Sequence, residues 1–290
     1  MRSLRYLITF SLILLLNGQP IIAFSSEQQT MDVHFIDVGQ GDSILIQTPS
    51  NKTILIDGGT PDSGNKILDL LEKKHILSID LLVVTHPDID HIGGLPKLMK
   101  SINIDKILDS GKLYTTKTYR RYINQIGKQK IPVEIAKKNQ VIKLDPVLDI
   151  KVLNTYEPFK NNNESSIALK VTYKEMDFLF MSDVEKEQEQ QLVKNEDLQA
   201  EFLKVAHHGS QTSTSIEFLE KVRPKVAIIT YSKQNDYGHP VGRVIQNLYK
   251  VNSLIYSTAV FGTITISTNG FDYYLWTEKS PMSGIAKERS

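Results

Sequence analysis

Residues 85–94 read Thr85-His86-Pro87-Asp88-Ile89-Asp90-His91-Ile92-Gly93-Gly94, at the end of an apolar strand predicted over 80–85. Two histidines and two aspartates fall within six residues, where a turn held by a helix from Gly93 can direct all four into one cleft. His86 and Asp88 are spaced to face one metal ion, while Asp90 and His91 can wrap around a second. The alternative is a solvated loop whose aspartate caps a helix. The pattern favours a two-metal site.

A second carboxylate stands at the end of another apolar strand. The strand predicted over 178–181 runs into Ser182 and Asp183. A carboxylate there is placed to bridge two cations about 3.5–4 Å apart. The alternative is an N-cap for the helix that starts near Glu185.

Three further histidines lie in comparable positions. His207 and His208 follow a strand predicted over 202–206 and precede a Gly-Ser pair, so one ring can bind metal while the other faces the substrate. His239 lies in a turn at 235–240 that can bring it to the rim of the cleft, although glycine and proline mark any turn. Histidines satisfied within the core are the alternative. Of the seven histidines, only His34 and His75 lie outside these segments.

Short strands alternate with helices along the chain. Helical spacing or length predicts helices near 65–74, 185–193, 215–222 and 241–250. Apolar runs predict strands at 33–36, 43–46, 52–57, 148–153, 167–173, 226–229, 254–257, 263–267 and 273–276, besides those already given. The two halves repeat the same order, so we expect an α/β fold: an αββα sandwich of two mixed sheets with outer helices.

Composition narrows the chemistry. The 290 residues include 34 basic and 33 acidic residues, so a net charge of +1 does not by itself predict binding to nucleic acid. A hydrophobic share of 40% excludes a disordered or collagen-like chain. The sequence contains no cysteine, which excludes disulfides, thiolate zinc sites and a thiol nucleophile. Any metal must therefore be bound by histidine and carboxylate.

The N-terminus has the pattern of a secretory signal. Arg2 and Arg5 precede an apolar run at 7–16, and Ala23-Phe24-Ser25 provides small residues for cleavage. We expect a signal peptide at 1–25, a hydrolase domain at 31–277 and a flexible tail at 278–290. The protein is then secreted, or retained at the membrane if the signal stays uncleaved. No transmembrane domain is expected beyond this segment, because the run is shorter than the ~20 residues a spanning helix needs.

These motifs resemble the metallo-β-lactamase superfamily, and in particular the extracellular hydrolase domain of ComEC-type DNA-uptake (competence) proteins. The resemblance also extends to bacterial phosphorylcholine esterases. It rests on residues 85–94, 182–183 and 207–210, together with 33–43, 56–59, 162–166 and 237–240. It implies an αββα fold and a hydrolytic site with two divalent metal ions.

The resemblance also implies a role for each motif residue. His86 and Asp88 would bind the first metal, and Asp90 and His91 the second. Asp183 would bridge the two ions, and His208 would complete the ligand set of the second ion. Asp90 would also orient the attacking water. His207 and His239 would contact the substrate. His207 could donate a proton or a hydrogen bond to the leaving oxygen or to a nonbridging phosphate oxygen. Ser210 is a further substrate contact, with helix capping as its alternative.

Two departures from the superfamily pattern concern the first metal. The superfamily usually has histidine where Asp88 stands, and a further histidine before Asp183. In that stretch this chain offers only Asn161, Asn162, Asn163, Ser165 and Ser166. The first site would then be weak or rich in carboxylate, which makes Mn²⁺ an alternative to Zn²⁺.

Basic and tyrosine residues alternate between 112 and 130, including Lys117, Tyr119, Arg120, Arg121, Tyr122 and Lys128. Such a segment can follow a phosphate backbone and stack bases. The alternative is a solvated amphipathic helix.

The sequence therefore predicts a secreted metal-dependent hydrolase, namely a phosphodiesterase or nuclease acting on DNA or nucleotides. A phosphorylcholine esterase or lactonase of the same fold is one alternative. A non-catalytic DNA-binding module is another, suggested by the missing histidine. No protein partner is inferred.

Overall fold

Two mixed β-sheets pack face to face, with helices on the outer surface of each, in a computed structural model that describes residues 29–157 and 160–280. This confirms the predicted αββα sandwich. The expected signal peptide at 1–25 and residues 281–290 of the expected tail lie outside the described residues. Within the described ranges, no helix combines the length and apolarity that crossing a membrane requires.

The first half of the chain contributes most of one sheet. Its elements are β1 (Met31–Phe35), β2 (Ile44–Gln47), β3 (Thr53–Ile56), α1 (Ser63–Lys73), β4 (Ser78–Ile79), β5 (Leu81–Val84), α2 (Ile89–Ile92), α3 (Leu95–Leu98), β6 (Asn103–Ile104), β7 (Ile107–Asp109), α4 (Lys117–Gln129) and β8 (Val133–Ile135).

The second half forms the other sheet and then returns to the first. Its elements are β9 (Leu148–Asn154), β10 (Ala168–Tyr173), β11 (Met176–Phe180), α5 (Lys186–Asn195), β12 (Phe202–Lys204), a 3₁₀ turn (Ala206–Gly209), α6 (Ile216–Val222), β13 (Val226–Ile229), α7 (Gly242–Lys250), β14 (Leu254–Ser257), α8 (Thr258–Phe261), β15 (Ile264–Thr268) and β16 (Tyr273–Thr277).

The order of the strands places the predicted ligands together. The eight-stranded sheet runs β16-β15-β1-β2-β3-β5-β7-β8, and the six-stranded sheet runs β14-β13-β12-β11-β10-β9. β5 lies in the parallel part of the first sheet, and the parallel neighbours β11 and β12 lie in the second. Functional side chains gather where the carboxyl ends of parallel strands meet.

Apolar side chains fill three layers. Phe35, Phe178 and Phe202 belong to the core between the sheets. Ile67 and Leu95 belong to the layer between the first sheet and its helices, and a third cluster includes Leu179 and Phe218 on the far side of the second sheet. Strands covered on both faces need continuous apolar sequence, which explains the runs that precede each ligand.

Two local predictions are corrected by the structure. The helix after the first motif begins at Ile89 and not at Gly93, so Asp90 and His91 lie within α2. The strand predicted over 202–206 ends at Lys204, and the two histidines form a 3₁₀ turn with left-handed φ angles of 50° and 54°. That conformation is uncommon outside glycine and turns both rings away from the strand direction.

The basic segment near residue 120 is the amphipathic helix α4, capped at Thr116. Tyr119 and Tyr122 are buried, and the Tyr122 hydroxyl donates a hydrogen bond to Asp109 at 2.7 Å. These two rings belong to the core, so the interpretation that they stack on bases is wrong.

A buried histidine in β1 provides a test of the fold by pH. The His34 ring contacts Thr265 Oγ1 at 2.8 Å, and burial, followed by the charge of Lys74, lowers its pKa from 6.5 to about 4. Between these values the unfolded chain binds a proton that the folded chain does not, so stability falls as the pH falls. Between pH 7 and pH 4.5 the shifted pKa of His34 lowers the free energy of unfolding by about 2 kcal/mol.

We therefore expect the free energy of unfolding of His34→Gln to fall by about 2 kcal/mol less than that of the parent between pH 7 and pH 4.5. Urea unfolding with a chelator present measures both values. His75→Asn, at an exposed position, is the control and should follow the parent. Equal pH dependence in His34→Gln and the parent would contradict the buried neutral ring.

Candidate metal centre

Three strand ends bring the predicted ligands to one point. β5 leads to His86 and α2, β11 leads to Asp183, and β12 leads to the 3₁₀ turn with His207 and His208. Asp183 Oδ2 lies 3.4 Å from His91 Nε2 and 3.8 Å from His86 Nε2. It lies 3.7 Å from His208 Nε2 and 3.8 Å from His207 Nε2. Asp183 does not cap the next helix, because Glu185 is the N-cap of α5.

The ligand atoms form two overlapping groups. His86, His91 and Asp183 form one and Asp90, His91 and His208 the other, each with its ligand atoms within 4.8 Å of one another. His91 belongs to both groups, whereas the sequence had assigned it to the second ion only. Asp88 lies beside the first group, with Oδ2 3.7 Å from His86 Nε2. All six predicted metal ligands therefore border one cluster.

The chemistry of these donor atoms fits a divalent cation. His86 Nε2, His91 Nε2, His208 Nε2 and Asp183 Oδ1 are buried and have no hydrogen-bond partner. Buried polar atoms are rarely left unpaired, since each costs about 1–3 kcal/mol. Three such ring nitrogens converge on the Asp183 carboxylate, whose Oδ1 is also unpaired, and this is the arrangement expected of a metal site.

Two groups of the cluster, His86 and Asp183, have the protonation state that metal binding requires. Burial, followed by the charge of His91, lowers the pKa of His86 to about 3, which leaves a neutral ring with a free lone pair. Burial would raise the pKa of Asp183, but the surrounding histidines, led by His91, hold that pKa well below its usual range. The carboxylate therefore stays ionised at neutral pH. Neutral imidazole and ionised carboxylate are the forms that bind metal. Burial would lower the pKa of His91 and His208, but the charge of Asp183 raises both, so a metal ion would displace a proton from each of these rings.

Asp57 orients the central histidine, a role that the sequence did not reveal. His91 Nδ1 lies 2.8 Å from Asp57 Oδ2, which also accepts a hydrogen bond of 2.6 Å from the Thr85 hydroxyl. With Nδ1 donating to Asp57, the lone pair of His91 Nε2 points into the cluster. Carboxylates placed behind metal-binding histidines fix the ring in this way. The Ile-Asp-Gly-Gly stretch at 56–59 was the available signal.

A buried ion pair lies behind His208. His208 Nδ1 is 2.8 Å from the carbonyl oxygen of Thr230 and 3.6 Å from Asp42 Oδ1. Asp42 is paired with Lys204, whose Nζ lies 2.6 Å from Oδ2, and it also accepts a hydrogen bond from the Thr230 hydroxyl. Lys204 points between the sheets and Asp42 precedes β2, so this pair joins the sheets beside the cluster.

An asparagine loop stands where the superfamily has its further histidine. Asn162 Nδ2 donates to Asp88 Oδ1 at 2.5 Å, and Asn163 Nδ2 lies 3.4 Å from His207 Nε2. The Ser166 hydroxyl donates to the carbonyl oxygen of Asn163 at 2.6 Å and holds this loop in shape. The loop thus contributes amides to the edge of the site.

These side chains border a cleft of about 190 Å³. It is lined by Gln40, Asp88, Asp90, Asn163, Asp183, His207, His208, Tyr237 and His239. Ser210 does not line it; its hydroxyl lies 3.2 Å from that of Thr212, which in turn lies 3.2 Å from His207 Nδ1. Gln40 and Tyr237 were not predicted as site residues.

This fold and this cluster define a class of protein. The sequence model of the metallo-beta-lactamase superfamily matches residues 36–232, and the chain belongs to that superfamily, which has the fold of metal-dependent hydrolases.

Comparison with individual proteins shows which members of the superfamily this chain resembles. The chain is 32% identical over 252 residues to ComE operon protein 3 of Bacillus subtilis and 26% identical over 226 residues to competence protein ComA of Neisseria gonorrhoeae. These matches include 80% and 75% of this chain but only 32% and 29% of the two relatives. The resemblance to ComEC-type competence proteins is thus confirmed. The metallo-beta-lactamase fold protein YhfI of Bacillus subtilis shares the fold, with a TM-score of 0.56, 14% identity and coverage of 83% of this chain and 100% of its own.

Proposed function

We propose that this chain is an extracellular phosphodiesterase that hydrolyses DNA or nucleotides with two divalent metal ions. One observation carries the proposal: unpartnered ligand atoms from three strand ends converge on Asp183. The similarity to competence proteins supports DNA as the substrate class. The segment 1–25, with its two arginines before an apolar run, supports export.

The proposed ligands are His86, Asp88, Asp90, His91, Asp183 and His208. Bound divalent ions would lower the pKa of a coordinated water and stabilise charge on the phosphate oxygens. The group on the His86 side offers two imidazoles, His86 and His91, and two carboxylates, Asp88 and Asp183. This mixed set suits Mn²⁺ as well as Zn²⁺.

The protein's own side chains then have two tasks. The Asp90 carboxylate lies at the cleft, with Oδ2 3.3 Å from His208 Nε2, and can accept a hydrogen bond that orients the attacking water. His207 is partly exposed, and each of its ring nitrogens faces a carboxylate: Nε2 is 3.8 Å from Asp183 and Nδ1 is 3.9 Å from Glu185. This ring can carry a proton into the cleft through Nε2 and give it to the leaving oxygen. His239 lines the cleft and keeps its proposed substrate-side role. Ser210 lies behind the cleft and would act only through Thr212 on His207.

The test is a substrate and metal panel. We expect hydrolysis of DNA with Mn²⁺ or Zn²⁺, loss of activity with a chelator, and recovery when metal is restored. Asp90→Ala should lower the turnover by about 10²-fold or more. His75→Asn, at an exposed histidine outside the cleft, should keep the parent rate.

Each alternative has its own result in this panel. Turnover of choline phosphoesters but not of DNA would move the assignment to an esterase. DNA binding by a protein that holds no metal and turns nothing over would indicate a binding module.

A further inference from the structure

Tyr237 is the most exposed aromatic side chain at the cleft. It retains 68% of its accessible surface although it lines the same cleft as Asp183 and His207. An aromatic ring left in water forgoes the hydrophobic gain of burial, about 25 cal/mol per Å². Single exposed rings are common on protein surfaces, but this one lines the cleft beside the metal cluster, where a flat group of a ligand can stack on it.

The loop that carries Tyr237 is held by its own hydrogen bonds. Asn235 Oδ1 accepts from the backbone N–H of Tyr237 at 3.1 Å and from that of His239 at 3.0 Å. Asn235 Nδ2 donates to the carbonyl oxygens of Ser232 at 2.7 Å and His239 at 2.8 Å. These bonds fix the backbone that carries Tyr237, which reduces the entropy cost of ordering the loop when a ligand binds.

The loop is also packed tightly against the histidine turn. A Cβ added at Gly209 would lie 2.6 Å from Pro240 Cβ, closer than any real contact, so this glycine permits the approach. The backbone N–H of Val241 donates to the carbonyl oxygen of Gly209 at 2.9 Å. Tyr237 is thus tied to the turn that carries His207 and His208.

A line of rings connects Tyr237 to the metal cluster. Its ring stacks on His239 with centroids 5.6 Å apart and 23° between the planes. His239 meets His207 edge to face at 5.7 Å. One face of Tyr237 is covered by His239 and the ring is otherwise largely open. A planar group of the substrate can stack there while its phosphate lies at the cluster.

The cleft offers little else to hold a nucleic acid. None of the nine described residues that line it is a lysine or an arginine. Proteins that bind the phosphate backbone over a long stretch use such residues, and proteins that bind single strands add aromatic rings that stack on bases. Stacking is sequence-tolerant but requires an unpaired base, since bases in a duplex are already stacked on each other.

We infer that Tyr237 is a nucleobase platform next to the scissile phosphodiester, so that the site takes unpaired nucleotides, as single strands or frayed ends, in preference to duplex DNA. This inference rests on the proposed phosphodiesterase function.

The experiment compares variants of the metal-loaded protein. Binding is measured by fluorescence of a single-stranded phosphorothioate oligonucleotide that contains 2-aminopurine, and kinetics are measured with the normal oligonucleotide. We expect Tyr237→Ala to raise Kd and KM about tenfold, which corresponds to about 1.4 kcal/mol. Tyr237→Trp should bind as the parent does, because it keeps the ring.

Two controls separate stacking from a general defect. Tyr249 lies on α7 outside the cleft and is 66% exposed, so Tyr249→Ala removes an equally exposed tyrosine and should match the parent. An oligonucleotide with abasic residues should be cleaved equally by Tyr237→Ala and the parent. A Kd and KM unchanged in Tyr237→Ala would overturn the platform, and so would equal affinity for blunt duplex.

Failure of the platform can be told apart from failure of the proposed function. DNA hydrolysis that does not depend on Tyr237 would overturn the platform and leave the phosphodiesterase. Tyrosine-dependent binding of the 2-aminopurine strand without hydrolysis of any phosphodiester would support the platform and overturn the phosphodiesterase.

Discussion

Asp183→Ala is expected to abolish stoichiometric metal binding and to lower phosphodiester turnover by about 10³-fold, equivalent to about 4 kcal/mol of transition-state stabilisation. The reason is its position. Its Oδ2 lies within 3.8 Å of a ring nitrogen of each of four histidines, so it faces both ligand groups. Without it, His86 and His91 lose the carboxylate of their own ligand group, and only the group with Asp90 keeps one.

Metal content after dialysis and the affinity for Mn²⁺ or Zn²⁺ by calorimetry are the primary measurements, with turnover as the second. Asp149→Ala, at an exposed position on β9 of the same sheet, is the control and should bind metal as the parent does. Two ions retained at parental affinity in Asp183→Ala would contradict the bridging role.

The ligands were predictable from sequence because each follows an apolar strand. The strand before His86 is apolar and buried throughout, and the strand before Asp183 is apolar and buried over its last three residues. Strands covered on both faces have such apolar runs. The polar residues that end them stand out for that reason. The fold followed from the same runs, since two sets of strands and helices in the same order predict two packed sheets.

The supporting residues were not predictable in the same way. Asp57 reaches His91 across 34 positions, and the Thr230 hydroxyl reaches Asp42 across 188. Only the folded topology brings such pairs together, because they sit on different strands or different sheets. Neither periodicity nor spacing contains that information.

The local backbone geometry of His207 and His208 was also not predictable from the sequence. The prediction placed His207 and His208 just beyond a strand ending at 206, whereas both adopt left-handed φ angles on a 3₁₀ turn. Both rings line the cleft in that strained conformation, but His208 is buried with Nδ1 against the Thr230 carbonyl oxygen, while His207 is partly exposed. Conformations of this kind are sustained by surrounding contacts and not by local propensity.

The second large effect concerns the ion pair behind the site. Lys204 is fully buried, and its Nζ lies 2.6 Å from Asp42 Oδ2 and 3.0 Å from the carbonyl oxygen of Val205. We expect Lys204→Met to lower the free energy of unfolding by about 3–5 kcal/mol, because it leaves the Asp42 carboxylate buried without its cation. Urea denaturation of the metal-free protein measures this loss.

A double variant distinguishes the lost pair from lost packing. Lys204→Met combined with Asp42→Asn removes both charges and should recover most of the stability, as replacement of a whole buried pair often does. The control is Lys52→Met, which breaks a pair with Asp80 of similar length, 2.7 Å, at the surface, where only a small change is expected. If the double variant is as unstable as the single one, the methylene packing of Lys204 is what matters. If it recovers, the stranded carboxylate is the cause of the loss, and the intact pair adds little net stability beside His208.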